Sequence, residues 1–273
     1  MPSPAQLFVV IGDVHDRIDL ALEFLLQLEN ELQQVITQVF SVGDFGLFLD
    51  EKDWDWLTGP SVYRRSQRTL TIRQAWAAWP WPLATIIGNH DCTDRLRDFH
   101  PAYFDNKLSY TNAGLLEHRL PGLRVAGLSG INYAGTNPAR TPPAGKAWSE
   151  IVAMCNLDKL SPRALTYYRE ADVDELLKVK TPHIVLTHDW PIDPPHSRTP
   201  GEYRPEKSII ELLRPQYSFH GHHHQSFATS LGKTKVYALN IISRNNQHHP
   251  NPGWAWIGRW DGQSIQEIGP WPL

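Results

Sequence analysis

Uninterrupted apolar runs alternate with helical-period stretches along this chain. Leu7-Phe8-Val9-Val10-Ile11 has no polar break, the pattern of a strand buried on both faces. From Leu20 to Leu32 the apolar positions Leu22, Leu25, Leu26 and Leu32 recur at helical spacing, with Asp19 placed to cap the helix. Val35 to Val42 returns to a strand pattern and delivers Gly43-Asp44. Strand, helix and strand make a βαβ unit. Its parallel strands bring their carboxyl ends to one sheet edge, where α/β folds bind ligands.

The same reading continues downstream. Leu70 to Trp79 predicts a helix ended by Pro80, and Leu83 to Ile87 a third buried strand that runs into Gly88. Short strands alternate with turns from Leu108 to Leu128, and Leu123 to Leu128 is the clearest of them. Asn132 to Pro162 is rich in Gly, Pro and polar residues and reads as a loop or insertion near the site, not a linker. Ala171 to Val179 and Glu206 to Leu213 predict helices, and Pro215 stops the second. Ile184 to Leu186, Tyr217 to Phe219, Lys235 to Ile242 and Trp254 to Trp260 predict strands. With no repeat or heptad pattern, residues 1–273 read as a single domain.

Composition narrows the function classes. A hydrophobic fraction of 41% with 11 Trp supplies a sizeable core. The formal net charge of −3 argues against non-specific nucleic-acid binding, although not against a local basic groove. Cys92 and Cys155 are too few for a disulfide framework. Met1 to Ala5 lacks the basic start of a signal peptide, and no apolar run is long enough to cross a bilayer. The expectation is a cytoplasmic protein with no membrane partner.

The chemistry lies at the ends of the predicted strands. Asp13-Val14-His15, Gly43-Asp44, Gly88-Asn89-His90-Asp91, Thr187-His188 and Gly221-His222-His223-His224 each follow an apolar stretch. Taken singly, these are common turns or strand ends. Together they are a set of oxygen and nitrogen ligands of the kind that holds two divalent cations. Cations held close together need an anionic bridge, and Asp44 is the natural one, with Gly43 allowing a tight turn before it. Alternation along an extended chain would put Asp13 and His15 on one side, and likewise His222 and His224.

In their order, the motifs resemble the calcineurin-like metallophosphoesterase superfamily. The resemblance implies a four-layer αββα sandwich of two mixed β-sheets flanked by helices, with a dinuclear metal site at one edge. Asp13, His15, Asp44 and His224 would hold the first metal; Asp44, Asn89, His188 and His222 would hold the second. It implies metal-dependent hydrolysis of a phosphate mono- or diester by in-line attack of a metal-bridging hydroxide. His90 would stabilise charge or protonate the leaving oxygen, and Asp91 would orient it or cap a helix. Asp189 is a candidate support for His188, whereas His223, His248 and His249 read as surface or loop residues.

Two segments narrow the resemblance. Val125 to Ile131 and Leu186 to Pro191 are similar to parts of RNA lariat debranching enzymes. The chain differs from that group in having Asp13 where Cys is typical and Asp91 where Glu is usual, and in lacking a long C-terminal extension. All-oxygen-and-nitrogen sites suit Mn, Fe or Zn. The resemblance therefore leaves the ester, a nucleotide or RNA among the candidates, open. Arg140, Arg169, Arg198 and Arg204 are candidates to grip a distal phosphate, and Tyr133, Tyr203 and Trp190 to stack on a base. The alternatives are a nucleic-acid-specific phosphodiesterase of the lariat-debranching type and a catalytically silent metal-binding scaffold. The scaffold reading predicts solvent-facing rings around Trp54, Trp56 and Trp76 to Trp81.

Overall fold

In a computed structural model describing residues 5–58, 68–133, 135–192, 204–243 and 250–272, the apolar run at Leu7 lies centrally as β1 (Gln6–Ile11). It is buried on both faces, as its composition requires. The helix α1 (Ile18–Leu32) crosses over to β2 (Ile36–Ser41), which pairs parallel with β1. After α2 (Thr69–Ala78), β3 (Leu83–Thr85) and β4 (Leu108–Tyr110) extend the sheet in parallel, with α3 (Thr93–Arg97) between them.

The second sheet is built from β5 (Ala113–Leu115), β6 (Val125–Leu128), β7 (Ile184–Thr187), β8 (Tyr217–His220), β9 (Phe227–Leu231) and β10 (Thr234–Ala238). Between β6 and β7 lie α4 (Trp148–Asn156) and α5 (Glu170–Leu177), and α6 (Pro205–Leu213) precedes β8. The chain then returns to the first sheet as β11 (Ala255–Trp260) and β12 (Ile265–Trp271). The two six-stranded sheets run β12-β11-β1-β2-β3-β4 and β5-β6-β7-β8-β10-β9. Both are mixed, because antiparallel strands flank parallel ones.

Strand alternation sorts the side chains into layers. Phe8, Val10, Phe40 and Val42 of the first sheet meet Ile184, Leu186, Phe219 and Tyr237 of the second, with Trp256 among them. The aromatic rings interlock, with Phe219 and Trp256 centroids 4.9 Å apart and Phe8 and Trp256 5.8 Å apart. Each such fully buried side chain contributes about 1.5–3 kcal/mol. Leu7, Val9 and Ile11 face α1 and α2, and Ala126, Leu128 and Val185 face α5 and α6. This is the expected four-layer αββα sandwich. The parallel strands β1, β2, β3, β7 and β8 end on a common edge, and a motif follows each of them.

Several expectations change in detail. The α1 N-cap is Arg17, not Asp19, because left-handed residues at His15 and Asp16 turn the chain early. Asp19 lies in the first turn and is paired with Arg68 at 2.7 Å. The 132–162 stretch is more than a loop. It contains α4, whose Trp148, Ile151, Val152 and Cys155 pack with Leu160, Ala164 and Leu165 into an apolar cluster of their own. β9 and β12 have no counterpart in the predicted elements.

Trp54, Trp76, Trp79 and Trp81 are buried and Trp56 is half-buried, so the solvent-facing surface required by the scaffold alternative is absent at four of the five rings. Among the described residues no helix is long and apolar enough to cross a membrane.

Candidate metal centre

The loops after the strand ends meet between the two sheets. Val14 and His15 donate their backbone amides to the Asp44 carbonyl at 3.0 and 2.8 Å, tying the first loop to the second. Gly221 follows β8 against the Asp13 carboxylate. A Cβ there would lie 2.0 Å from Asp13 Oδ1, so only glycine admits the approach. The His222 amide then donates to Asp13 Oδ2 at 3.0 Å.

One knot of donor atoms contains Asp13, His15, His224 and Asp44. His224 Nε2 lies 3.0 Å from Asp13 Oδ2 and 2.9 Å from His15 Nε2, which is 3.6 Å from Asp44 Oδ2. A second knot shares Asp44. His188 Nε2 lies 3.3 Å from Asp44 Oδ2 and 3.1 Å from Asn89 Oδ1. The His222 ring packs on His188 at 5.1 Å between centroids, and it also lies close to Asp189 and His223. All seven expected ligand residues therefore converge on one place, with Asp44 between the two knots.

They converge by a route other than strand alternation. His15, His222 and His224 have φ of 45°, 69° and 53°, so left-handed turns, not extended chain, aim them. The result is that His222 turns toward His188 while His224 turns toward His15. His188 is held by the Val42 carbonyl, which accepts from Nδ1 at 2.8 Å and leaves Nε2 facing Asp44. The support expected from Asp189 is not there: its Oδ1 accepts from the Trp190 amide at 2.9 Å and lies 3.8 Å from His223 Nε2.

Asp91 serves the backbone. Its Oδ2 accepts from the Asp44 and Gly88 amides at 2.9 and 2.8 Å, and its Oδ1 accepts from the Gly46 amide at 2.9 Å. One buried carboxylate thus sets both the Gly43–Gly46 turn and the Gly88 turn. Burial and the nearby Asp44 charge push its pKa up to about 6. These contacts are with backbone amides and not with the His90 ring. The His90 ring sits 5.2 Å from that of His15, where Phe48, Trp54 and Leu57 wall a small recess. Burial, with the His15 and His188 charges behind it, lowers the His90 pKa.

The electrostatics call for positive charge. Asp44 Oδ2 is buried and faces imidazole nitrogens, His188 Nε2 at 3.3 Å and His15 Nε2 at 3.6 Å. Burial alone would raise the Asp44 pKa, but the His188 charge pulls it well below the usual carboxylate range. Burial likewise works against the His188 imidazolium, yet the Asp44 carboxylate raises its pKa to about 10. A buried carboxylate facing imidazole nitrogens, with an amide oxygen beside one of them, is a donor set that fits a divalent cation in place of the imidazolium proton.

Other expected contacts resolve differently. Arg169 is engaged, donating to both Asp172 oxygens and the Lys146 carbonyl, with its guanidinium over the Trp148 ring. Trp190 is fully buried, its indole N–H donated to the Gly221 carbonyl, so it offers no stacking face. The Tyr133 ring lies 4.5 Å from that of Tyr167. Arg140 is exposed, Arg204 is half-buried at the start of α6, and His223 packs against Trp190. Arg198, Tyr203, His248 and His249 lie outside the described residues.

The Calcineurin-like phosphoesterase family model matches residues 7–226, and the chain belongs to that family. The chain is 24% identical over 245 residues to a lariat debranching enzyme of Arabidopsis thaliana, covering 81% of this chain and 55% of that one. A lariat debranching enzyme of Homo sapiens is 25% identical over 244 residues, covering 80% and 42%. The chain thus spans about half the length of these curated relatives. Among solved structures, a putative 5′-nucleotidase from Staphylococcus aureus has a similar fold. It matches with a TM-score of 0.51 at 11% identity, covering 98% of this chain and 53% of that one.

Proposed function

We propose that this protein is a metal-dependent phosphoesterase, with Asp13, His15, Asp44 and His224 holding one divalent ion and Asp44, Asn89, His188 and His222 the other. The observation that carries the reading is the buried Asp44 carboxylate between the two knots, its Oδ2 3.6 Å from His15 Nε2 and 3.3 Å from His188 Nε2. When bound, two such ions supply Lewis acidity that activates water and neutralises phosphoryl oxygens. The oxygen and nitrogen donor set suits Mn, Fe or Zn.

The chain's own residues do the rest. The Val42 carbonyl fixes the His188 ring so that Nε2 faces inward. Asp91 holds the two turns that aim Asp44 and Asn89. His90 would hydrogen-bond the scissile phosphate or the leaving oxygen, and handing over a proton there requires the bound phosphate's negative charge to offset its lowered pKa. The Phe48–Trp54 stack and Leu57 keep water from that side of His90.

Within this reading the substrate is a phosphate monoester or diester. A nucleic-acid phosphodiester is favoured by the similarity to lariat debranching enzymes over about 80% of this chain. The test is hydrolysis of an aryl phosphomonoester beside an aryl phosphodiester. The protein is stripped of metal, reconstituted with Mn²⁺, Fe²⁺ or Zn²⁺, and compared with Asp44→Asn. Turnover that needs metal and disappears in Asp44→Asn is the expected result. Undiminished turnover in a metal-depleted Asp44→Asn protein would overturn the reading.

A further inference from the structure

The site residues provide for one phosphate, the one being cleaved. A second positive element stands on the rim, in residues that the motifs do not include. Arg163 lies on the 3₁₀ turn Pro162–Thr166, and its Nη2 donates to the Thr58 carbonyl at 3.3 Å. The Thr58 hydroxyl in turn reaches the Asn89 carbonyl at 3.5 Å, and Asn89 Oδ1 is 3.1 Å from His188 Nε2. The guanidinium is therefore two contacts from the backbone of a proposed metal ligand.

Arg163 is exposed, and among the described residues no carboxylate lies within ion-pair distance of it. A guanidinium has five N–H donors, and the Thr58 contact takes one. Arg140 stands beside it in the same condition, exposed and without a carboxylate partner among the described residues. It closes the neighbouring 3₁₀ turn Pro138–Arg140, which the Ser161 amide ties to the Arg163 turn by donating to the Ala139 carbonyl at 2.8 Å.

Both turns begin with proline and are capped by a side chain. Asn137 Oδ1 accepts from the Ala139 amide at 3.0 Å, and the Ser161 hydroxyl accepts from the Arg163 amide at 3.4 Å. Two guanidiniums are thus carried on adjoining braced turns with donor capacity to spare, and Arg163 reaches the site's edge through Thr58. Arg169, by contrast, spends its donors on Asp172 and Lys146. A guanidinium fork is the side chain best matched to a phosphate.

We propose that Arg163, with Arg140 beside it, binds a second, non-scissile phosphate, so that the preferred substrate is an oligonucleotide carrying a phosphate next to the one being cleaved. This deepens the phosphoesterase reading and rests on it for the position of the scissile phosphate.

The experiment uses the metal-reconstituted full chain and three dinucleotides: one unmodified, one with a 5′ phosphate and one with a 3′ phosphate. All three contain the same scissile diester and differ in the second charge. In the wild type, one terminal phosphate should lower KM by roughly tenfold, the effect of one charge-assisted contact. Arg163→Gln should abolish that advantage, and Arg163→Lys should keep part of it. Lys180→Gln, which removes an exposed charge in the loop between α5 and β7, should retain it in full. In Arg163→Gln, the slope of log affinity against log salt for the doubly charged dinucleotide should fall by about one.

An advantage that persists in the Arg163→Gln, Arg140→Gln double variant would overturn the inference, as would a wild type indifferent to both terminal phosphates. The dinucleotides are also titrated for binding. A protein that turns over no ester then fails the phosphoesterase reading, while the dependence of binding on Arg163 still decides the inference.

Discussion

Removing the Asp91 carboxylate separates two roles for that residue: holding the turns, or assisting His90. In Asp91→Ala, the buried amides of Asp44, Gly46 and Gly88 lose their acceptor. At about 1–3 kcal/mol each, the gross loss is on the order of 6 kcal/mol. Burial and the neighbouring Asp44 charge work the other way, raising the Asp91 pKa to about 6. Relieving that cost returns about 3 kcal/mol. The net destabilisation is therefore about 3 kcal/mol, a fall in Tm of roughly 5–12 °C for a chain of this size.

Asp91→Asn should fall between wild type and Asp91→Ala. Its amide oxygen, standing where Oδ2 does, can still accept from the Asp44 and Gly88 amides, while its NH₂ group faces the Gly46 N–H. Thermal unfolding in the presence of chelator reads the fold alone, and metal content per chain then reads the site. An unchanged Tm for Asp91→Ala together with collapsed activity would refute the turn-holding role and return Asp91 to His90.

Two further outcomes are expected. Burial, with the Asp189 charge behind it, pushes the Glu206 pKa up to about 7. Between about pH 4.5 and 7 the native state keeps a proton that the unfolded chain has released, so stability falls as pH rises through that window, by about 3 kcal/mol in all. Glu206→Gln, which still accepts from the Tyr168 hydroxyl, should be more stable than wild type at pH 8, with the gap closing near pH 4.5. Denaturant titrations across pH check this, and parallel curves would sink it.

Arg97 is buried and donates to the carbonyls of Leu165, Tyr167 and Ser129 and to Asn112 Oδ1, with its guanidinium 3.7 Å from the Trp148 ring centroid. Arg97→Met should cost roughly 3 kcal/mol or more and open residues 132–165 to limited proteolysis. Wild-type resistance in that segment would refute the stapling role.

How far the molecule could be read from its sequence depended on how local each cause is. The strands at Leu7, Val39, Leu83 and Ile184 were legible because full burial demands unbroken apolar runs. β9 was not, since Phe227–Leu231 is an edge strand whose residues are mostly exposed and carry no alternation. α4 was hidden because the Gly and Pro around it mask the helical spacing of Trp148, Ile151, Val152 and Cys155. The candidate ligands were identifiable by residue type and position after each strand. How they converge was not, because left-handed φ angles at His15, His222 and His224 leave no mark in an Asp-x-His or His-x-His spacing. The roles of Asp91 and Arg163 depend on partners 45 to 47 and 105 residues away, which periodicity cannot reach.

The left-handed residues at the centre set stability against chemistry. His15, Asp16, Asp44, His222 and His224 all have positive φ, at about 1–3 kcal/mol of backbone strain each. Asp, Asn and His tolerate that conformation better than most side chains, so the positions that need donor atoms also select residues the backbone can bear. Glycine at His15, Asp44, His222 or His224 would relax the chain and delete a donor together. Selection for thermal robustness alone would therefore drift toward a firmer protein that has lost its site, and persistence of these side chains depends on continued demand for what they hold.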